Sequence, residues 1–313
     1  MKGLELSYAF YETYGVPMLR DGFSHIAPLL AVGLAGSGSE CLGYDDDISH
    51  DHDFEPGFCL FLPDEEVVDR KTAFALERAY AKLPGEFMGY KRSPLSPVGG
   101  NRHGVIRAAD FFVEKTGSPD GRLSLREWFA LSEQSLAEAT NGRVFRDDTG
   151  AFTAVRDRLA YLPEAVRRKK LAGHLFLMGQ AGQYNYDRCI SRGETAAAQL
   201  AVAELVKSAL HAIFLLNRRY LPYYKWRFRS LRELPLLASL HDPLERVLST
   251  GNTAEETREK RTLIALICDG IFAETKRQGL SSFAGDNAEG HARHVNDSIE
   301  DAAVRNLHLL YGV

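Results

Sequence analysis

The sequence predicts an α+β chain: a small α/β unit with a mixed sheet, followed by an all-α helical half. Three observations carry this. The apolar runs Ala31-Val32-Gly33-Leu34-Ala35 and Cys59-Leu60-Phe61-Leu62 have the length and continuity of buried strands. A helix-forming stretch separates the second run from a third apolar segment, Val105 to Val113, as a crossover between strands requires. From about Leu125 the hydrophobic period turns helical almost throughout. The expected domains are 1–120 and 121–313.

Taken in order, residues 3–29 read as helix. Leu4, Tyr8, Tyr11, Leu19, Phe23 and Ile26 recur at mixed three- and four-residue steps, with an interruption at Gly15-Val16-Pro17. A strand at 31–35, a loop at 36–50 and a strand at 51–62 follow. Asp64-Glu65-Glu66 opens a helix to about Leu83, its acids in the first turn where the helix dipole favours them. Pro84 to Gly100 is a Gly/Pro-rich loop. Val105 to Val113 reads as a strand with Ile106, Ala108 and Asp110 on one face. Beyond it, Leu125 opens a helix and Asn141 to Thr153 is turn-rich, with room for a short hairpin. Helices are expected at 154–160, 164–191, 194–219, 228–239, 254–278 and 289–310, with a loop at Ser281 to Gly290.

Length and charge narrow the function. A chain of 313 residues accommodates two domains. Net charge is −4, which argues against dependence on long nucleic acid, where a basic stripe is expected. The run Arg167-Arg168-Lys169-Lys170 reads as a solvated helix face. Cys41, Cys59, Cys189 and Cys268 are scattered without a C-x-x-C pair, so neither a zinc site nor a disulfide framework is expected. Met1 to Tyr14 lacks a signal pattern, and no apolar run approaches the roughly 20 residues of a membrane span. A cytoplasmic protein without membrane contact is expected.

The chemistry concentrates at Gly36-Ser37-Gly38-Ser39, with Asp51-His52-Asp53 beginning fourteen residues after Ser37. A Gly-Ser turn leaving a strand offers backbone N–H groups and a hydroxyl to a phosphate. Asp51 and Asp53, at i and i+2 on a strand, project from one face, and their hard oxygens suit Mg²⁺. An acid at Ala109-Asp110-Phe111 is odd for a buried strand and so marks Asp110 as a candidate, with Glu114 as the fallback acid. Asp45-Asp46-Asp47 reads as a solvated acidic loop. His50 and His52 beside Asp51 open a phosphohydrolase alternative. Gly33, Gly36 and Gly38 do not have dinucleotide-loop spacing. In the helical half, Arg188 and Arg192 stand at i and i+4 beside Tyr184. They can bind phosphate or an acidic group, or pair with Asp187 or Glu194. Asn217, Tyr223, Lys225 and Trp226 mix polar and aromatic groups suited to stacking on a base or sugar, or to packing between domains.

These motifs resemble the DNA polymerase beta-like nucleotidyltransferase superfamily, whose signature is apolar-Gly-Ser followed about a dozen residues later by Asp-x-Asp/Glu. Ser49-His50-Asp51-His52-Asp53 with Pro56, and Leu216-Asn217-Arg218-Arg219-Tyr220-Leu221-Pro222-Tyr223-Tyr224-Lys225-Trp226, resemble an uncharacterised bacterial branch of it. The resemblance spans about residues 20 to 240. It implies transfer of a nucleotidyl group, as AMP from ATP or another NTP, to a hydroxyl of a small-molecule acceptor. Asp51, Asp53 and Asp110 would hold two Mg²⁺ ions, and Gly36, Ser37, Gly38 and Ser39 would hold the phosphates. Lys225 is similar in setting to a phosphate-reaching lysine of the aminoglycoside nucleotidyltransferases, and Tyr184, Arg188, Arg192, Asn217, Tyr223 and Trp226 would bind substrate. Antitoxin-like minor nucleotidyltransferases usually carry Arg where Glu40 or its neighbour stands, which weighs against a toxin–antitoxin reading. The rival reading is a non-catalytic nucleotide-binding regulatory protein.

Overall fold

The computed structural model describes residues 1–51, 54–92 and 102–313, the side chains of His50 and Asp51 apart. The chain divides into two compact units, Met1–Ser124 with Leu131–Ala160, and Leu125–Ala130 with Tyr161–Val313.

The first unit opens with helix α1 (Gly3–Phe10), which passes through a π turn (Tyr11–Gly15) into α2 (Val16–Gly22). The wider turn lies immediately ahead of Pro17, whose ring and missing N–H disfavour a regular helical turn before it. Next come β1 (Ala31–Leu34), β2 (Cys59–Leu62), α3 (Arg70–Ala81) and a small hairpin of β3 (Glu86–Phe87) and β4 (Tyr90–Lys91). They are followed by β5 (Gly104–Arg107), α4 (Ala108–Thr116) and, beyond the α5 segment (Leu125–Ala130) of the second unit, α6 (Glu133–Thr140), β6 (Arg143–Asp147) and α7 (Ala151–Arg158). The mixed four-stranded sheet has the order β5-β2-β1-β6. β1 is antiparallel to β2, with Val32 opposite Leu60, and to β6; β2 and β5 are parallel, with Leu60 opposite Val105.

Alternation along β2 separates two cores. Leu60 and Leu62 join Phe10, Tyr11, Leu19, Val32, Phe58, Leu76 and Tyr80 on one side. Phe61 turns the other way, stacking on Phe152 at 4.1 Å between ring centres and meeting Phe111 edge-on at 5.2 Å.

Several expectations are corrected here. Residues 108–113 are helix rather than strand: Phe111, Phe112 and Thr116 are its buried positions, the last two at i and i+4 on one helical face, and Gly117 ends it in a left-handed conformation. Asp110 therefore sits in the first turn of α4. Among the described residues, the strand expected at 51–62 is confined to Cys59–Leu62. Asp51 instead closes a 3₁₀ turn (Asp47–Asp51), Pro56 lacks a ladder donor, and the Phe58 amide donates to the Tyr80 hydroxyl at 3.0 Å rather than to a strand. The helix expected from Asp64 starts at Arg70, capped by Asp69, whose carboxylate accepts from the Thr72 amide at 2.7 Å. Residues 131–160, expected in the helical half, belong to the first unit because β6 pairs with β1.

The second unit is built from helices. α8 (Glu164–Met178) continues through a π segment (Gly179–Asn185) into α9 (Tyr186–Ser191), so the predicted span 164–191 is one helical path. α10 (Thr195–Leu216) packs against α8, α9, α12 (His241–Ser249) and α13 (Ala254–Arg277). α10 is the one helix among the described residues that is apolar and long enough to cross a membrane by composition, and 61% of its apolar window is buried. α11 (Arg227–Arg232), α14 (Ala288–Asp297) and α15 (Ala302–Arg305) complete the unit.

The basic run on α8 is also corrected. Arg167, Lys169 and Lys170 are buried. Lys169 Nζ donates to Asn296 Oδ1 at 2.8 Å and to the carbonyls of Arg305 and Leu307 at 3.1 and 2.6 Å, while Lys170 Nζ reaches the Gly312 carbonyl at 3.0 Å. Burial holds the Lys169 ammonium below its usual pKa range. The run clamps the C-terminal segment. Lys169→Met is expected to cost about 2 kcal/mol by leaving these acceptors without a donor, measured by urea unfolding, with faster proteolysis beyond Ser298. An unchanged midpoint would remove the clamp.

Candidate functional site

β1 delivers the chain into the Gly-Ser turn. Gly36 and Gly38 have φ of +114° and +129°, a region that L side chains rarely adopt. The Asn141 side chain grips Gly36 from both sides. Its Oδ1 accepts from the Gly36 amide at 2.9 Å, and its Nδ2 donates to the Gly36 carbonyl at 2.8 Å. Arg102 Nη2 donates to the Ser37 carbonyl at 2.6 Å and to Glu40 Oε1 at 2.8 Å. A Cβ on Gly38 would stand 2.0 Å from that nitrogen and 2.3 Å from the carboxylate. Burial raises the Glu40 carboxyl above its usual range, with the Arg102 charge opposing. Ser39 leads into a 3₁₀ turn at Glu40–Leu42.

The turn borders a cavity of about 440 Å³ that is also lined by Glu40, Arg102, Asp110, Glu114 and Lys115, with Cys41 and Cys59 at its walls. Burial pushes the Cys59 thiol up to about 12. Asp110 and Glu114, both exposed, stand four residues apart on α4 and so share a helix face. Lys115 Nζ donates to Ser37 Oγ at 3.1 Å, to Glu114 Oε1 at 2.9 Å and to Glu138 Oε2 at 3.1 Å. Ser37 Oγ donates to Glu138 Oε2 at 2.8 Å, and Gln134 Nε2 to Glu138 Oε1 at 3.0 Å. Partial burial acts to raise the Glu138 carboxyl, but the donors Gln134, Ser37 and Lys115 outweigh it and bring it below the usual range.

The structure thus brings Gly36, Ser37, Asp110 and Glu114 together. Asp51 has its backbone at the end of a 3₁₀ turn; its side chain, together with His52 and Asp53, lies outside the described residues. Asp45 is buried rather than solvated, accepting from the Gly3 amide at the start of α1 at 2.8 Å, while Asp46 and Asp47 are exposed. Arg102, Lys115, Glu138 and Asn141 were not predicted. Lys115 was readable as the neighbour of Glu114. Glu138 and Asn141 meet Ser37 and Gly36 across 101 and 105 residues, and no local pattern announces that.

The other predicted residues fall in the second unit. Asp187, Arg188, Ser191 and Arg192 line a shallow depression, with the Arg188 guanidinium 4.8 Å from the centre of the Tyr184 ring. Asp187 pairs with Arg261 at 2.8 Å. The Asn217 amide is engaged by backbone: it donates to Ile213 and Leu236, each at 2.9 Å, and accepts from the Leu236 amide at 3.0 Å. Tyr223 is exposed, and Lys225 Nζ lies 5.0 Å from the Trp226 ring centre.

A family model described as a domain of unknown function, DUF4037, matches residues 128–227. That stretch includes Glu138, Asn141 and the second-unit candidates from Tyr184 to Trp226, and stops short of Gly36, Ser37 and Asp110. No curated protein and no solved structure matches the chain.

Proposed function

We propose that the first unit transfers a nucleotidyl group from an NTP, AMP from ATP foremost, to a hydroxyl of a small-molecule acceptor. The observation that carries this is the convergence on one cavity of a clamped Gly36-Ser37 turn, a lysine at the serine hydroxyl and the carboxylates of Asp110 and Glu114. Ser37 and the amides beside it orient the phosphates. The acceptor oxygen forms a bond to the α-phosphorus as the bond to pyrophosphate breaks, and the acceptor's proton passes to a carboxylate, a role we give to Asp110, which lines the cavity. Asp110 with Glu114 offers the hard oxygen donors that Mg²⁺ prefers, and the sequence assigns Asp51 and Asp53 the same role. Bound Mg²⁺ supplies neutralisation of phosphate charge. The net charge of −4 favours a small acceptor over a polynucleotide.

One observation favours a second reading, a nucleotide-binding protein without turnover: the Ser37 hydroxyl is already engaged by Glu138. Calorimetric titration of ATP, GTP, CTP and UTP with and without Mg²⁺ tests both. Mg²⁺-dependent binding is expected, weakened at least tenfold, about 1.4 kcal/mol, by Asp51→Asn/Asp53→Asn. It should be accompanied by pyrophosphate release once an acceptor is supplied. Binding without release across an acceptor panel would favour the second reading, and no binding of any NTP would overturn both.

A further inference from the structure

We infer that Glu138 is a built-in occupant of an anion position formed by the Ser37 hydroxyl and the Lys115 ammonium, and that a polyphosphate binds there by displacing it. The inference deepens the nucleotidyl-transfer reading and rests on it for the identity of the anion.

The geometry is that of an oxyanion held by two donors. One carboxylate oxygen, Glu138 Oε2, receives both Ser37 Oγ at 2.8 Å and Lys115 Nζ at 3.1 Å, and the ammonium also donates to the hydroxyl at 3.1 Å. A hydroxyl beside a Gly-rich turn and an ammonium converging on one oxygen are the donors a phosphate oxygen takes. Lys115 is mostly withdrawn from solvent, its side chain 12% exposed, but it lines the cavity, so an anion in the cavity can reach it. A phosphate cannot share the position with a carboxylate, because like charges at contact repel strongly away from bulk water. Glu138 has somewhere to go. Its other oxygen is already held by Gln134 one turn earlier on α6, so the carboxylate can turn toward Gln134 without leaving its helix.

A purely structural ion pair between α4 and α6 predicts something different. It would make removal of either partner destabilising and leave anion affinity unchanged. In the occupant reading the two residues act in opposite directions on affinity: losing Glu138 helps, losing Lys115 harms.

The test is calorimetric binding of inorganic tripolyphosphate, and separately of ATP with Mg²⁺, to the full chain as wild type, Glu138→Gln and Lys115→Met, with thermal melting as the folding control. Glu138→Gln is expected to bind tripolyphosphate at least tenfold more tightly than wild type, and Lys115→Met at least tenfold more weakly. Equal or weaker binding by folded Glu138→Gln, or no tripolyphosphate binding by any variant, overturns the inference. Should Glu138→Gln melt early, Glu138→Asp carries the same test, since the shorter side chain withdraws the carboxylate; tighter binding supports displacement and unchanged binding overturns it. Tripolyphosphate affinity raised by Glu138→Gln, with no variant binding Mg²⁺-ATP, would uphold the anion position and sink nucleotidyl transfer. Mg²⁺-ATP bound by wild type and Glu138→Gln alike, with tripolyphosphate affinity also unchanged, would sink the anion position while leaving the nucleotide site standing.

Discussion

Gly142→Ala is expected to destabilise the first unit by about 3 kcal/mol or more. Gly142 has φ +69°, and a Cβ there would lie 2.0 Å from the Leu34 carbonyl oxygen and 2.8 Å from the Ala35 Cα. Both are backbone atoms, so no side chain can swing aside. Relief requires parting β6 from β1 at the place where the Gly142 amide donates to the Cys41 carbonyl at 2.8 Å and Asn141 grips Gly36. The substitution should therefore loosen the Gly-Ser turn as well as the sheet. Scanning calorimetry should show the first unit's transition falling by roughly 10 °C, with NTP affinity falling alongside it. A melting profile unchanged within 1–2 °C, about the shift expected from 0.5 kcal/mol, would contradict the β1–β6 register.

Glu164→Gln is the corresponding expectation for the second unit, and its effect depends on pH. Glu164 opens α8 and binds three guanidinium groups: Arg167 at 2.6 Å, Arg168 at 2.8 Å and Arg218 at 2.9 Å. Partial burial acts to raise its carboxyl. The hydrogen bonds from Arg167 and Arg168 and the charges of Arg167 and Arg218 prevail and bring it down to about 2. A carboxyl whose folded pKa lies below its unfolded value adds stability that is complete above the unfolded value, near 4.5, and is lost as pH falls from there toward 2. Because the Glu164 side chain is 39% exposed, solvent screening reduces its contribution to about 2 kcal/mol at neutral pH. Arg167, only 2% exposed, would be left with a much weaker partner. Urea unfolding at pH 7 should separate variant from wild type by about that amount, and the gap should narrow steadily below pH 4.5. A gap that stayed constant with pH would show that shape, not charge, is what the site needs.

What was readable in the sequence was short-range. The strand at 31–34 and the Gly-Ser turn were legible because an apolar run and two glycines needing positive φ are properties of adjacent residues. The helical path 164–191 and the helix ending near 278 were legible because their periodicity lasts many turns. Over the nine residues 105–113 the period was ambiguous: 105–107 is strand, as expected, but 108–113 is helix. Ala108, Phe111 and Phe112 fit a helical stripe, while Ile106, Ala108 and Asp110 equally fit a strand face. The basic run at Arg167 read as solvated because burying lysines is costly, and the acceptors that make it tolerable lie 127 to 142 residues further along the chain.

By itself, then, the sequence determined the strand at 31–34, the long helical paths beyond 164 and the chemical character of the Gly36-Ser37 turn. These follow from conformational preference and hydrophobic period, which act over a few residues. Only the tertiary structure decided that β6 joins β1, that Asn141 clamps Gly36 and that Glu138 and Lys115 meet at Ser37. Each of those contacts closes a loop of 78 residues or more. Closing such a loop costs about the same for many alternative partners, so the choice among them rests on the summed fit of buried surfaces, which no local stretch of sequence carries.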